Sequence, residues 1–319
     1  MSLIVGAYPA QPEGPQQRQF FEELATISAI RGLELPYRAW GGDPWPAGAR
    51  AEWSAVVTAI PGTMQRVGGD PRFGLASADR EGRRAAVDFT AGILSYVAGL
   101  REHGHRVEAV ALHSAPAGHG NPAAFAASLD EILGWDWQDT ALVVEHCDAP
   151  RPGRRAEKGF LSFRDETEIV RDFRQQGRDV GMLVHWARSV IETGESRTAA
   201  DHVAAARAAG VLSGLMFSGC SNEATEFGYP WMDAHLPAVE VDGAPASSML
   251  NAHEIARCLR EAGELRFTGL KIGLPQDAVS PGERAERVRQ MCALVMGNAV
   301  GTLPPGPGKL AQAPSLAAT

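Results

Sequence analysis

The sequence predicts an α/β chain folded as a single (β/α)8 barrel over residues 1–300, and three observations predict it. Apolar runs of strand length recur eight times, helical patterns separate them, and most runs are continuously apolar. Continuous apolarity marks strands buried on both faces of a parallel sheet. A barrel of this kind typically takes about 250 residues before insertions, which a chain of 319 residues accommodates. A doubly wound open sheet is the competing arrangement, but no glycine-rich dinucleotide fingerprint follows any of the runs.

The eight strands are read at residues 3–8, 32–37, 54–60, 107–113, 140–145, 180–186, 212–218 and 267–274. Between the first two, residues 17–30 place Phe20, Phe21, Leu24 and Ile27 on one helical side. The second strand is followed by 43–52, at most a short helix, and the third by a loop over 61–78. Residues 79–103 carry a stripe of Phe89, Ile93, Tyr96, Val97 and Leu100. Asn121 as N-cap and Pro122 at the first helical position open a helix to Leu133. A helix over 163–176 follows Ser162 and closes at Gly177. Further helices are expected at 196–209, 251–262 and 281–298. The stretch 219–249 has no clear helix, and its length favours a functional loop. It holds Tyr229, Trp231, Asp233 and His235, a set suited to covering a sugar ring, although an oligomer contact would also account for it. Residues 301–319, rich in Pro, Gly and Ala, read as a flexible C-terminal tail.

Composition excludes several classes of function. With 45% hydrophobic residues the chain is too apolar to be disordered. A net charge of -8 argues against nucleic acid and anionic membranes as partners, since both need a basic face. No run approaches the ~18 apolar residues of a membrane span, and the start Met1-Ser2-Leu3-Ile4-Val5-Gly6 lacks the basic region of a signal peptide. Cys147, Cys220, Cys258 and Cys292 are scattered, as free thiols of a cytoplasmic protein are. Walker, GxSxG and HExxH motifs are missing from the sequence.

Barrel chemistry sits at the carboxyl ends of the strands. Five ionisable residues fall there: Glu34, His113, Glu145, His185 and Lys271. Charged groups inside apolar strands are rare unless paired or functional. Only three lysines occur among 30 basic residues, so Lys271 suggests a need for an amine. Desolvating walls would lower its pKa and make it a base or a Schiff-base nucleophile; a salt bridge to Glu145 or Glu34 is the plainer alternative. Glu145 among apolar walls would have a raised pKa and serve as a base. Thr58, His146, Trp186, Arg188 and Ser218 stand at or just past strand ends, where substrate hydroxyls would be oriented.

The motifs Val5-Gly6-Ala7-Tyr8, Gly32-Leu33-Glu34-Leu35-Pro36, Thr58-Ala59-Ile60-Pro61-Gly62-Thr63, Leu112-His113-Ser114-Ala115-Pro116, Val144-Glu145-His146-Cys147-Asp148 and Gly214-Leu215-Met216-Phe217-Ser218-Gly219 resemble an uncharacterised bacterial family, a domain of unknown function. More distantly, the layout is similar to the xylose-isomerase-like TIM barrels, which include sugar and sugar-phosphate isomerases, ketose epimerases and endonuclease-type enzymes. That resemblance implies a divalent metal held by two glutamates, an aspartate and a histidine on the last four strands. Glu145 matches the first glutamate. His185 stands in place of the aspartate, Ser218 of the histidine, and Lys271 or Gly273 of the second glutamate. Oxygen ligands are then too few for a hard octahedral ion. Glu145 and His185, with His113 or Glu34, would still suit Zn²⁺ or Mn²⁺; otherwise no cofactor is expected, and Lys271 supplies the missing charge.

The expected function is an enzyme that abstracts a proton next to the carbonyl of a sugar-like molecule: an isomerase, epimerase or β-eliminating lyase. Glu145 is the expected base, His113 or His185 the second proton carrier, Lys271 the electrostatic stabiliser, and Glu34, Thr58, Arg188 and Ser218 the hydroxyl partners. Alternatives are an aldolase-type lyase using Lys271 as Schiff base, and a sugar-binding barrel without catalysis.

Overall fold

A computed structural model describes residues 2–37, 45–118, 120–274 and 280–300. Eight parallel strands close in sequence order into a barrel: β1 (Leu3–Gly6), β2 (Ile30–Pro36), β3 (Ser54–Thr58), β4 (Val107–Leu112), β5 (Ala141–Glu145), β6 (Val180–His185), β7 (Leu212–Phe217) and β8 (Phe267–Lys271). Nine helices lie among the described residues: α1 (Gln16–Leu24), α2 (Ile60–Gly69), α3 (Arg80–Glu102), α4 (Pro122–Leu133), α5 (Phe163–Gln175), α6 (Trp186–Thr193), α7 (Thr198–Ala208), α8 (Ala252–Ala262) and α9 (Pro281–Val300). None of them is long and apolar enough to cross a membrane.

Helix starts follow side chains that satisfy otherwise unpaired amides. Asp79 accepts from the Gly82 amide at 2.8 Å, and Asn121 from those of Ala123 and Ala124 at 2.9 and 3.1 Å. Ser162 and Asn251 do the same for Asp165 and Glu254, each at 3.1 Å.

Two helices depart from expectation. Residues 61–69, read as loop, belong to α2, and the sixth strand stops at His185 because Trp186 already begins α6. Pro61 reads as a turn signal, yet in a first helical turn its missing N–H costs nothing. Positions 43 and 44 of the weak helical stretch lie outside the described residues, as do His119 and the 301–319 tail; 45–52 form bends and turns. The four cysteines are free and buried.

Two apolar layers hold the fold. The larger one lies between the strands and the helices. The smaller plugs the barrel with Ile4, Val56, Ala109, Ala111, Ala141, Val143, Leu183, Met216 and Phe267. Gly214 makes room for this plug, since a Cβ there would lie 2.7 Å from the Phe267 ring. Side chains alternate between the two faces of a strand. Stepping two residues from plug positions therefore reaches Thr58, His113, Glu145, His185 and Ser218, all on the inward face at the carboxyl end.

Candidate active site

The inward polar positions meet as one network. On β2, Glu34 sits in register with Val56, and on β8, Lys271 sits in register with Gly6. The Lys271 Nζ lies 2.9 and 2.8 Å from the two Glu34 carboxylate oxygens and 3.7 Å from Glu145 Oε1. Gly6 permits this meeting: a Cβ on it would stand 2.8 Å from Glu34 Oε2 and 2.8 Å from Lys271 Cβ. His113 Nε2 donates to Glu145 Oε2 at 2.7 Å, and Arg188 Nη1 approaches the same oxygen at 2.9 Å. Because α6 starts at once after β6, Arg188 lies in its first turn and folds back over the mouth. Glu34, Glu145, His185 and Lys271 on their strands, His113 just past β4, and Arg188 are all at most 2% exposed.

A second group adjoins the first. Ser218 Oγ is 2.8 Å from His185 Nε2 and 3.4 Å from His235 Nδ1. Asp233 Oδ1 is 3.3 Å from that Nδ1, while its Oδ2 accepts from Lys158 Nζ at 2.6 Å and Arg188 Nε at 3.0 Å. Asp233 and His235 come from the 219–249 loop. Paired backbone bonds between Gly219 and Leu236, and one from the Gly273 amide to the His235 carbonyl at 2.7 Å, tie that loop to the ends of β7 and β8.

Proximity reverses two electrostatic expectations. Burial works to lower the Lys271 amine, but Glu34, Tyr8 and Glu145 outweigh it and hold it above its ordinary value. Burial works to raise Glu145, but Arg188, Lys271 and His113 outweigh it and hold the carboxyl well below its usual range. Lys271 is thus a fixed cation and not a neutral amine; Glu145 is ionised across neutral pH. His113 is lowered by burial, against the pull of Glu145. His185 falls well below its ordinary value through burial and the charges of Arg188 and Lys271, so both imidazoles are neutral.

Three expected site residues lie elsewhere or apart. His146 is one residue past Glu145 and so faces the helices: its Nδ1 bonds Glu166 at 2.6 Å and its Nε2 bonds Glu192 at 2.9 Å. Trp186 follows His185 and packs fully buried into the strand–helix layer for the same reason. Thr58 keeps the inward position, but its hydroxyl accepts from the Ile60 amide at 3.4 Å and makes no bond to the network among the described residues.

Asp233 and His235, expected only in a covering loop, and Lys158 and Tyr8, not expected at the site, join it. The signal available in sequence is weak: a polar pair in a long loop, and one of only three lysines.

An eight-stranded parallel barrel whose polar groups gather at the carboxyl ends is a TIM barrel. Its fold matches L-ribulose 3-epimerase with a TM-score of 0.58 at 11% identity, covering 94% of this chain and 96% of that one. It likewise matches the IOLI protein with a bound zinc atom, at a TM-score of 0.57 and 10% identity, covering 93% and 99%. Within that class the chain belongs to the family of the domain of unknown function DUF4862, which matches residues 4–289. An uncharacterised protein of Salmonella typhimurium strain LT2 is 37% identical over 285 residues, 84% of this chain and 88% of its own.

The fold class raises the question of a metal. Two groups bring three potential ligand atoms within 4.8 Å: His146, Glu192 and His202, and His185, Asp233 and His235. Neither suits a divalent ion. In the first, His146 has both ring nitrogens engaged with carboxylates. In the second, Asp233 already holds Lys158 and Arg188, so an incoming ion would meet two fixed cations. Glu145 and His185, the pair expected to bind Zn²⁺ or Mn²⁺, fare no better, because Arg188 and Lys271 face the Glu145 carboxylate.

Proposed function

We propose that the chain is an enzyme that abstracts a proton next to the carbonyl of a neutral ketose-like sugar, giving isomerisation or epimerisation. The observation that carries this reading is the network of strand-borne acid, base and cation groups above the apolar plug. Within it Glu145 Oε1 has no hydrogen-bond partner among the described residues. An ionised carboxylate with a free oxygen can take the proton and return it to carbon, with its basicity reduced by the facing Arg188 and Lys271. Lys271 and Arg188, both charged, stabilise the oxyanion of an enolate in a water-poor site, and the chain's own cations thereby do what a metal would. Glu34 holds Lys271 in position.

Near Glu34, a cavity of about 170 Å³ lined by Tyr8, Gln11, Gln17 and Tyr96 offers the mix of aromatic faces and neutral polar groups that sugars use. Reaching Glu145 requires the 219–249 loop to move, as active-site loops do when they admit substrate and then exclude water.

The test is a panel of ketopentoses and ketohexoses incubated with the purified protein and read for interconversion. Product formation that survives Lys271→Arg, with no adduct after borohydride reduction, is expected. A reduced adduct on Lys271 supports the aldolase-type lyase instead, and binding without turnover supports a sugar-binding barrel. Lys271 held charged by Glu34 speaks against the lyase, because Schiff-base formation needs the neutral amine.

A further inference from the structure

We infer that Asp233, His235 and Ser218 fix His185 in the tautomer that carries its proton on Nδ1, making the neutral ring a hydrogen-bond donor to the substrate's carbonyl oxygen. The consequence for turnover rests on the proton-abstraction reading; the tautomer itself does not.

The donors and acceptors along one row of atoms decide the tautomer. Burial works to raise Asp233, but Lys158, Arg188 and His235 outweigh it, so its carboxylate is ionised and can only accept. His235 Nδ1 lies 3.3 Å from Asp233 Oδ1, close enough for attraction but outside hydrogen-bond geometry, and 3.4 Å from Ser218 Oγ; the ionised carboxylate beside it favours the proton on that nitrogen, aimed at the serine oxygen. Ser218 Oγ then receives from His235, and among the described residues its own proton has one acceptor within reach, His185 Nε2 at 2.8 Å. With Nε2 accepting, a neutral His185 must carry its proton on Nδ1. Were the proton on Nε2, two N–H groups would converge on Ser218 Oγ and leave the serine proton without an acceptor.

The Nδ1 atom is buried and has no hydrogen-bond partner among the described residues. A donor left unpaired in a dry site costs about 1–3 kcal/mol, so it calls for an acceptor supplied from outside the chain. A ketose carbonyl is such an acceptor, and the hydrogen bond to it itself moves no proton. The rings of His185 and His235 lie 5.5 Å apart, with Arg188, Lys271, Asp233 and Glu145 as the charges around His185.

Backbone geometry supports a built device. His235 has φ 57° and Trp231 φ 66°, the left-handed region that non-glycine residues enter at a cost. The Gly219–Leu236 pairing and the Gly273 bond hold the first of these in place.

Nitrogen-15 NMR of the histidine-labelled full chain, without substrate, tests the assignment. The expected spectrum has His185 Nε2 as a bare nitrogen and Nδ1 as a protonated one, unchanged through the neutral pH range. Ser218→Ala is expected to release the ring into a mixture of tautomers, and Ser218→Thr, which keeps the hydroxyl, to restore the single form. A His185 protonated on Nε2 in the wild type, or one whose tautomer ignores Ser218→Ala, overturns the inference. If no sugar is turned over but the tautomer is as stated, the proposed activity fails and this assignment stands. If both hold, Ser218→Ala lowers kcat with KM little changed, and His185→Phe lowers it by about 10²–10³-fold, the usual loss of an oxyanion donor.

Discussion

Gly6 and Lys271 show how much of the site rests on single atoms. Adding one methyl at Gly6 drives it into both Glu34 and Lys271, and rigid strand backbone on either side leaves little room to yield. Gly6→Ala is expected to cost about 1–3 kcal/mol of stability, the usual penalty of overpacking, and to depress activity more than stability alone explains; urea unfolding alongside turnover checks both. Lys271→Met leaves two buried carboxylates facing each other without their cation and is expected to cost about 3–5 kcal/mol. Adding Glu34→Gln should recover part of that loss, because the pair is coupled. A double variant less stable than Lys271→Met would mean that Glu34 is held by something other than the lysine. At this scale Glu34, Glu145, His185 and Lys271 lie on strands as expected and His113 one residue past the end of β4, but the charges they carry were not foreseen. Strand position is legible from apolar runs. The sign of a pKa shift depends on 2.7–3.7 Å approaches between chain segments far apart in sequence.

The element scale explains which neighbours were misplaced. Side-chain alternation puts Glu145 inside the barrel and His146 outside, and the same rule separates His185 from Trp186; adjacency in sequence suggested one shared face where geometry allows two. His146 instead joins β5 to α5 and α6. Burial works to lower its pKa, but Glu166 and Glu192 outweigh it and raise it to about 9 from an ordinary 6.5. Glu192 in turn is pushed up by burial but held down at about 2 by His146 and Arg151. The signs are opposite. The histidine's contribution is whole below 6.5 and is lost as pH rises through 9; that of Glu192 is whole above 4.5 and is lost as pH falls toward 2. The histidine's share is up to about 3 kcal/mol. Unfolding free energies measured below 6.5 and above 9 should therefore differ in the wild type and converge in His146→Gln. A variant that keeps the full difference would show that His146 is not the group responsible. The helices α2 and α6 were hidden because each begins directly on a strand end, where the apolar run continues without a break and periodicity cannot divide it.

Across the whole molecule, eight strands closed in sequence order were legible because every parallel strand must be buried on both faces, which the composition of each run records. The 219–249 loop was not legible in its contacts: it has no period, and its hold on the mouth comes from backbone bonds to β7 and β8 ends. Its Asp233 completes a set of three carboxylates, with Glu34 and Glu145, and three cations, Lys158, Arg188 and Lys271. Each of the three cations in this set already faces a carboxylate. A ketose is accordingly expected to have a higher kcat/KM than its phosphate ester, and the reverse order would contradict the neutral-substrate reading. Proton removal by Glu145 without a metal is the centre of the account. After exhaustive chelation, the wild type in deuterated water should place deuterium on the carbon next to the ketose carbonyl, and Glu145→Gln should slow that exchange by at least the 10²-fold typical of a lost general base. Exchange that stops on chelation and returns with an added divalent ion, or that proceeds in Glu145→Gln at the wild-type rate, would contradict it.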